Sequence, residues 1–228
     1  MIGIIGAMSI EVDRFKAQME DATYETISGT DFVSGTLWGV PVVVAVSGVG
    51  KVNAAICTEA MIMRYSPEFI INSGVAGGLH PSLSLCSAVI ASSVIQHDMD
   101  TSPLGDPVGY ISGLDLVEIP TSEELSQKLL DSALENDIYA IKGKIASGDQ
   151  FINSSEKKDY LKETFDAAAC EMEAAAIGHV CFKNNIPFTI LRTISDNADD
   201  SSHIAFNDFV DLAAVNMEEI MKSFLKKI

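Results

Sequence analysis

Short apolar runs alternate with longer amphipathic segments along most of the chain. The runs at residues 2–7, 42–46, 69–73 and 187–194 are rich in Ile, Val and Phe, which is typical of strands buried on both faces. Segments with apolar residues at every third or fourth position predict helices at about 10–20, 51–65, 121–136, 154–165, 174–185 and 205–226. This order predicts an α/β fold with three layers, in which helices cover both faces of a twisted mixed central sheet.

The remaining segments add shorter elements to this plan. Residues 24–47 alternate like a β-meander, and residues 85–96 and 139–147 are expected to be strands. The glycine-rich residues 74–78 are expected to form a turn, and residues 101–120 a long loop. No linker, internal repeat or low-complexity tract interrupts the pattern, so we expect one domain spanning residues 1–228.

Charge and composition exclude several classes of function. The net charge is −17, so neither nucleic acid nor an anionic membrane is an expected partner. No apolar run approaches the ~20 residues of a membrane span, and no basic segment precedes the first apolar run as in a secretory signal. The four cysteines form no C-x-x-C pair, which favours reduced thiols and a cytoplasmic location over disulfides or zinc.

Two carboxylates stand in an unusually apolar stretch at residues 169–181. Glu171 and Glu173 lie where an apolar strand is expected to run into a helix rich in small residues. Buried carboxylates need a partner or a function. The alternative is that both are first-turn glutamates stabilised by the helix dipole, and the stretch alone does not decide between the two.

Other candidate residues also follow the expected strands. Glu11, the turns at 48–50 and 74–78, Phe151 and Asp196 all lie near strand carboxyl ends, which meet at one cleft in such a sheet. Arg192 lies inside an apolar strand and must be paired, with Glu11, Glu173 and Asp196 as the expected partners.

Several kinds of chemistry are disfavoured at this cleft. The G-x-G-x-x-G, P-loop and G-x-S-x-G signatures are missing. His97, Asp98 and Asp100 could suggest a metal site, but acids in a loop of so acidic a chain are more often solvated or structural. We therefore expect no cofactor and no metal, and the residues suit acid/base hydrolysis of a neutral ligand with a flat ring.

Six motifs in order resemble one known family. The chain is similar to the bacterial 5'-methylthioadenosine/S-adenosylhomocysteine nucleosidases of the purine nucleoside phosphorylase-like superfamily. The matching segments are GIIGAM at 3–8 leading to Glu11, SGVGKVNAA at 47–55, NSGVAGG at 72–78, SGDQFIN at 147–153, EMEA at 171–174 and RTISDNAD at 192–199. The resemblance spans essentially the whole chain.

The resemblance implies the phosphorylase/hydrolase-like fold and a role for each site residue. Glu11 would activate the attacking water, and Asp196, held by Ser195, would protonate adenine N7. A homodimer is implied, in which the loop near 101–113 completes the partner's 5' pocket. The substrate-binding residues implied are Met172 and Glu173 at the ribose, Phe151 and Ile152 at adenine, Met8, Val49 and Phe206 at the 5'-alkylthio group, Arg192 and Val75 near the water, and Ala198.

Two positions depart from the family pattern, and several functions remain open. Val75 stands where many members have a serine or threonine that holds the water, and Leu104 stands where an aromatic residue often lies. The alternatives to a 5'-thioadenosine hydrolase are a phosphorylase on the same fold, a nucleosidase for a related adenosine such as aminodeoxyfutalosine, and a catalytically silent nucleoside-binding protein. The scarcity of arginine disfavours the phosphorylase, which needs a cationic anion pocket.

Overall fold

The computed structural model describes residues 1–199 and 202–228, with the side chains of 202–208 left out of the description. The strands are β1 (Ile2–Gly6), β2 (Met19–Ile27), β3 (Thr30–Leu37), β4 (Val40–Val46), β5 (Ile70–Gly78), β6 (Ala88–Gln96), β7 (Glu118–Pro120), β8 (Ala140–Ser147), β9 (Ala167–Glu171) and β10 (Phe188–Asp196). The helices are α1 (Ser9–Lys16), α2 (Lys51–Tyr65), α3 (Glu123–Glu135), α4 (Ser155–Phe165), α5 (Ala174–Asn184) and α6 (Ser202–Leu225).

The strands form a mixed sheet that closes on itself at one end. Its order is β10-β6-β8-β9-β5-β1-β4-β3-β2, and β10 also pairs in parallel with β5. The strands β5, β10, β6, β8 and β9 thus form a ring, from which β1, β4, β3 and β2 extend as an open sheet. The parallel β5–β10 pairing sets Asp196 beside Gly77, and Gly77 also pairs with Cys170 of β9. Closure therefore brings the ends of β5, β9 and β10 together.

Two apolar layers hold the helices against the sheet. One contains Phe15 of α1, Leu129 of α3 and Phe224 of α6, all essentially inaccessible to solvent. The other, on the opposite face, contains Met61 of α2 and Ile177 of α5. The predicted three-layer α/β fold with a mixed sheet is confirmed.

Several predicted boundaries are wrong. The first helix ends at Lys16 rather than near residue 20, because the chain turns directly into β2. Residues 74–78 are not a turn but the end of β5, buried throughout and paired with β10 and β9. The expected 101–120 loop contains a short 3₁₀ helix at Ser102–Leu104 and the edge strand β7.

The residues before α1, α3 and α4 are Met8, Ser122 and Ser154. Ser122 caps α3 by accepting a hydrogen bond from the Leu125 N–H, while the Thr121 hydroxyl donates to the Ala91 carbonyl. Within the described ranges, no helix combines the length and apolar character that crossing a membrane requires.

Candidate active site

A cavity of about 210 Å³ opens where the chain leaves β1, β4, β5, β8, β9 and β10. Its wall combines carboxylates with apolar side chains. The lining residues are Ala7, Met8, Glu11, Val49, Val75, Ala76, Gly77, Gln150, Phe151, Ile152, Cys170, Glu171, Met172, Glu173, Ser195 and Asp196. Among these described lining residues there is no lysine, arginine or histidine.

Glu11 is held rigidly at the start of α1. One carboxylate oxygen accepts the N–H groups of Ala7 and Met8 at 2.7 and 2.9 Å, and the other accepts that of Val75 at 2.9 Å. Burial raises the pKa of Glu11, although Arg192 and these three N–H groups oppose the rise. Desolvation therefore outweighs the groups that favour the ionised form. A raised pKa suits a base that must take a proton near neutral pH.

Arg192 is fully buried and does not line the cavity. Its Nη2 donates to Asn72 Oδ1 at 2.6 Å and to Glu171 Oε2, and lies 3.6 Å from Glu173 Oε2. Its Nη1 lies 3.9 Å from Glu11 Oε1. Asp196 was expected to pair with Arg192 but is not among its partners. The guanidinium does not line the cavity, and it affects the cavity only through the carboxylates with which it pairs.

Glu171 is the direct partner of Arg192, which the sequence did not indicate. Its Oε2 also accepts the N–H groups of Glu173 and Ala174 at 3.0 and 2.8 Å, and its Oε1 accepts the Ser147 hydroxyl. These donors satisfy a carboxylate at the amino end of α5, where the helix dipole favours negative charge. Glu171 therefore anchors Arg192 and shapes the segment that carries Glu173.

Glu173 faces the cavity with fewer partners. Its Oε1 accepts the Gly50 N–H at 2.9 Å. Burial, and then the Glu171 carboxylate, raise the pKa of Glu173 to about 8, against the lowering effects of Arg192 and Gly50. The raised pKa lets Glu173 carry a proton at a higher pH than an ordinary glutamate, and in that form it can donate as well as accept a hydrogen bond.

Asp196 ends β10 at the cavity wall. Its Oδ2 accepts the Ser195 hydroxyl at 3.0 Å, and its Oδ1 accepts the Ala198 N–H at 2.9 Å. Ala198 is buried and does not line the cavity, so the expectation that it binds substrate is corrected: it positions Asp196. Gly77 has to be small here, because a Cβ on it would lie 2.9 Å from Ala198 Cβ.

The other predicted residues contribute the apolar part of the wall. Phe151 is 48% exposed, so it does not fill the core beneath its loop. Phe206 lies among the residues whose side chains are outside the description. The predicted residues that line the cavity are Met8, Glu11, Val49, Val75, Phe151, Ile152, Met172, Glu173, Ser195 and Asp196.

Some lining residues were not predicted. Ala7 and Cys170 carry no side-chain signal for a site, and only their position at strand ends could have indicated them, whereas Ala76 and Gly77 belong to the 74–78 segment that was expected at the cleft. His97, Asp98 and Asp100 do not converge on a metal site: Asp98 pairs with Lys51 at 2.6 Å, and Asp100 accepts the Ser102 N–H at 2.8 Å. Across the described residues, no group of three or more acids, histidines and cysteines is arranged to hold a metal ion.

The chain shares its fold and much of its sequence with one class of known proteins. Residues 1–226 match the model of the phosphorylase superfamily. A solved structure from Neisseria meningitidis, a 5'-methylthioadenosine/S-adenosylhomocysteine nucleosidase in complex with methylthio-immucillin-A, has a TM-score of 0.96 at 32% identity and covers 100% of this chain and 99% of that one. A futalosine hydrolase from Helicobacter pylori has a TM-score of 0.95 at 35% identity, over 100% and 97% of the two chains.

Sequence relatives narrow the class to a family. A 5'-methylthioadenosine/S-adenosylhomocysteine nucleosidase of Anoxybacillus flavithermus is 38% identical over 100% of this chain and 98% of its own. The nucleosidase of the same name from Bacillus subtilis is 36% identical over 100% and 99% of the two chains. The chain belongs to the 5'-methylthioadenosine/S-adenosylhomocysteine nucleosidase family of the phosphorylase superfamily.

Proposed function

We propose that this protein hydrolyses the N-glycosidic bond of 5'-methylthioadenosine and S-adenosylhomocysteine, releasing adenine and the 5'-thio-ribose. The observation that carries the proposal is the cavity itself, which joins Glu11, Glu173 and Asp196 to an apolar wall containing Phe151. The family relatives described above support the same reaction.

Glu11 is the general base in this proposal. Bond cleavage turns the ribose into a cation resembling an oxocarbenium ion, and a water attacks its C1' carbon. The water oxygen forms the new C–O bond while its proton passes to Glu11, whose raised pKa equips it to accept that proton. Carboxylates around the cavity stabilise the positive charge that develops on the sugar.

Asp196 is the general acid. Adenine leaves with the electron pair of the C1'–N9 bond and is a poor leaving group unless N7 receives a proton. Ser195 and Ala198 hold the carboxyl group at the cavity wall, from which it delivers that proton to N7. In one turnover Glu11 gains a proton from water and Asp196 loses a proton to adenine, so the total number of protons on the enzyme is unchanged.

The remaining wall residues position the substrate. Phe151 stacks on the adenine ring, and the Ile152 backbone contacts the ring edge. Glu173, anchored by the Gly50 N–H, binds the ribose hydroxyls together with Met172. Met8 and Val49 line the pocket for the 5'-alkylthio group. Val75 has no hydroxyl group to hold the attacking water, so the backbone and the Glu11 carboxylate hold it.

The same geometry favours hydrolysis over phosphorolysis. A phosphate nucleophile needs converging cations, but the described cavity wall is carboxylate-rich and lacks basic residues. Arg14 and Arg64 pair with Glu218 and Glu25 outside the cavity, and Arg192 is held by carboxylates. With no cation on the described wall to bind it, phosphate is disfavoured as the nucleophile relative to water.

Adenine release from methylthioadenosine in phosphate-free buffer tests the proposal. We expect turnover at the same rate with and without added phosphate, together with free 5-methylthioribose. A strict dependence on phosphate, with a sugar 1-phosphate as product, would refute the hydrolase assignment.

A second candidate substrate is a futalosine-type nucleoside. The similarity to the Helicobacter pylori futalosine hydrolase, at 35% identity, favours testing it. Leu104, 83% accessible, lies in the 101–113 loop, which the family resemblance places at the 5' pocket of the partner subunit, so we expect this loop to influence substrate preference. Comparing kcat/KM for methylthioadenosine, adenosylhomocysteine and aminodeoxyfutalosine ranks the candidates.

We also infer that the enzyme works as a cytoplasmic homodimer, with all of residues 1–228 acting as one domain. Helix α2 exposes Val52, Ile56 and Met63 at helical spacing, 68%, 45% and 74% accessible, and such an unpaired apolar stripe suits a subunit interface. The partner's 101–113 loop would then complete the 5' pocket.

The cytoplasmic location is supported by the thiols. Cys57 and Cys181 are buried and form no disulfide, which suits a reducing compartment.

A further inference from the structure

A network of hydrogen bonds ties together three loops beside the cavity. The Asp98 carboxylate, just after β6, accepts the Lys51 Nζ at 2.6 Å with one oxygen and the Asp149 N–H at 2.9 Å with the other. Asp149 Oδ1 in turn accepts the Lys51 N–H at 2.7 Å, and Lys51 Nζ also donates to Gln96 at 3.2 Å. We call Lys51, Asp98 and Asp149 the clasp.

The clasp is bound at both ends to residues that touch the ligand cavity. Lys51 follows Gly50, whose N–H holds Glu173, and Val49, which lines the cavity. Asp149 precedes Gln150 and Phe151, which also line the cavity. One segment joined by the clasp therefore supports Glu173, which binds the ribose, and the other carries Phe151, which stacks on the adenine ring.

Within the clasp the Lys51–Asp98 pair is partly shielded from solvent, whereas the two hydrogen bonds of Asp149 are exposed. The Lys51 and Asp98 side chains are each only 17% exposed. Exposed ion pairs contribute little, but hydrogen bonds to charged, partly buried groups are stronger. Burial alone would raise the pKa of Asp98, yet Lys51 and the Asp149 N–H outweigh it and lower it.

We propose that Asp98 is a positioning residue for ligand binding, which holds the glycine turn before α2 and the loop after β8 at the spacing that an adenine nucleoside requires. This inference rests on the proposed function. Asp98 does not line the cavity and acts only through the clasp.

The clasp should affect binding more than chemistry. Glu11 is fixed by the backbone of Ala7, Met8 and Val75, and Asp196 by Ser195 and Ala198, none of which belongs to the clasp. Contacts that hold substrate and transition state equally alter KM and leave kcat nearly unchanged. A merely structural role would instead lower the melting temperature and leave KM unchanged.

The test compares Asp98→Asn, Lys51→Met and the double variant with wild type. The control is Glu124→Gln, which removes an exposed ion pair with Lys128 on α3, a helix that contributes no residue to the cavity wall as described. KM and kcat for methylthioadenosine, the Kd of adenine by calorimetry, and the melting temperature are measured for each.

We expect KM and the adenine Kd to rise about tenfold in Asp98→Asn while kcat changes less than about threefold. Lys51→Met should raise KM and Kd by a similar factor. In the double variant KM and Kd should be no higher than in the more strongly affected single variant, and in Glu124→Gln they should equal the wild-type values. Unchanged KM and Kd in Asp98→Asn, or single effects that multiply in the double variant, would overturn the proposal.

The adenine Kd separates this proposal from the proposed reaction. If wild type binds adenine but cleaves no methylthioadenosine, the reaction assignment fails, and the Kd values of the variants still decide the role of Asp98. If wild type binds no adenine, the proposal for Asp98 fails, while turnover of methylthioadenosine in phosphate-free buffer still decides the reaction.

Discussion

Gly74 is the position where one methyl group should disrupt the whole carboxylate network. A Cβ there would overlap Arg192 Nη1 and lie 2.6 Å from Glu11 Oε1. Arg192 has no room to retreat, since its side chain is fully buried and its Nη2 is held by Asn72 and Glu171. Gly74→Ala must therefore displace the buried arginine, the carboxylate of Glu11, or both.

The cost follows from the type of contact. Overpacking costs about 1–3 kcal/mol and disturbing a buried ion pair about 3–5 kcal/mol, so we expect about 3 kcal/mol less stability. A displaced general base should lower turnover about 100-fold. Urea denaturation and adenine release from methylthioadenosine measure the two effects.

Gly39→Ala is the matched control. Its Cβ would meet nothing within 4 Å, although its φ of +87° is unfavourable for alanine. We expect a loss of about 1 kcal/mol from backbone strain and unchanged turnover. Turnover in Gly74→Ala equal to that in Gly39→Ala would refute the argument that Gly74 leaves room for the Arg192–Glu11 pair.

Three further predictions concern the cavity and the subunit interface. Because the pKa of Glu173 is raised from an ordinary 4.5 to about 8, its stabilising proton is fully present below pH 4.5 and is lost as pH rises through 8. The unfolding free energy of Glu173→Gln should accordingly fall less than that of wild type between pH 5 and 8, and parallel curves would contradict this. Phe151→Ala should raise the KM for methylthioadenosine about tenfold through lost stacking, and an unchanged KM would place the ring elsewhere. Met63→Glu should convert a wild-type dimer to monomers in sedimentation velocity, because a charge enters the apolar interface; a dimeric variant would exclude this face.

The sequence predicted the layers, because these depend on local patterns, and most of the residues that the family resemblance implied do line the cavity. Buried strands are visible as β-branched runs, and Glu11 and Asp196 stand next to such runs. The partner of Glu171 could not be predicted, because it depends on pairing β9 with β8 and on an arginine 21 residues further along. Local pattern leaves it indistinguishable from a dipole-stabilised first-turn acid.

The ring of strands was equally invisible in the sequence. Glycine-rich residues 74–78 locally favour a turn, but β10 and β9 supply hydrogen-bond partners that keep them extended. The pairing of Arg192 with Gly74 joins residues far apart in the chain, and only this contact explains why the strand needs glycine there. Long-range pairing, rather than local propensity, thus decided this part of the site.

The central claim is that Glu11 and Asp196 carry the proton transfers of hydrolysis. It is tested most directly by kcat for methylthioadenosine in Glu11→Gln and Asp196→Asn, with the adenine Kd measured to show that the cavity is intact. Each variant should lose at least ~100-fold in kcat while still binding adenine. Turnover close to that of wild type in either variant would contradict the role assigned to that residue.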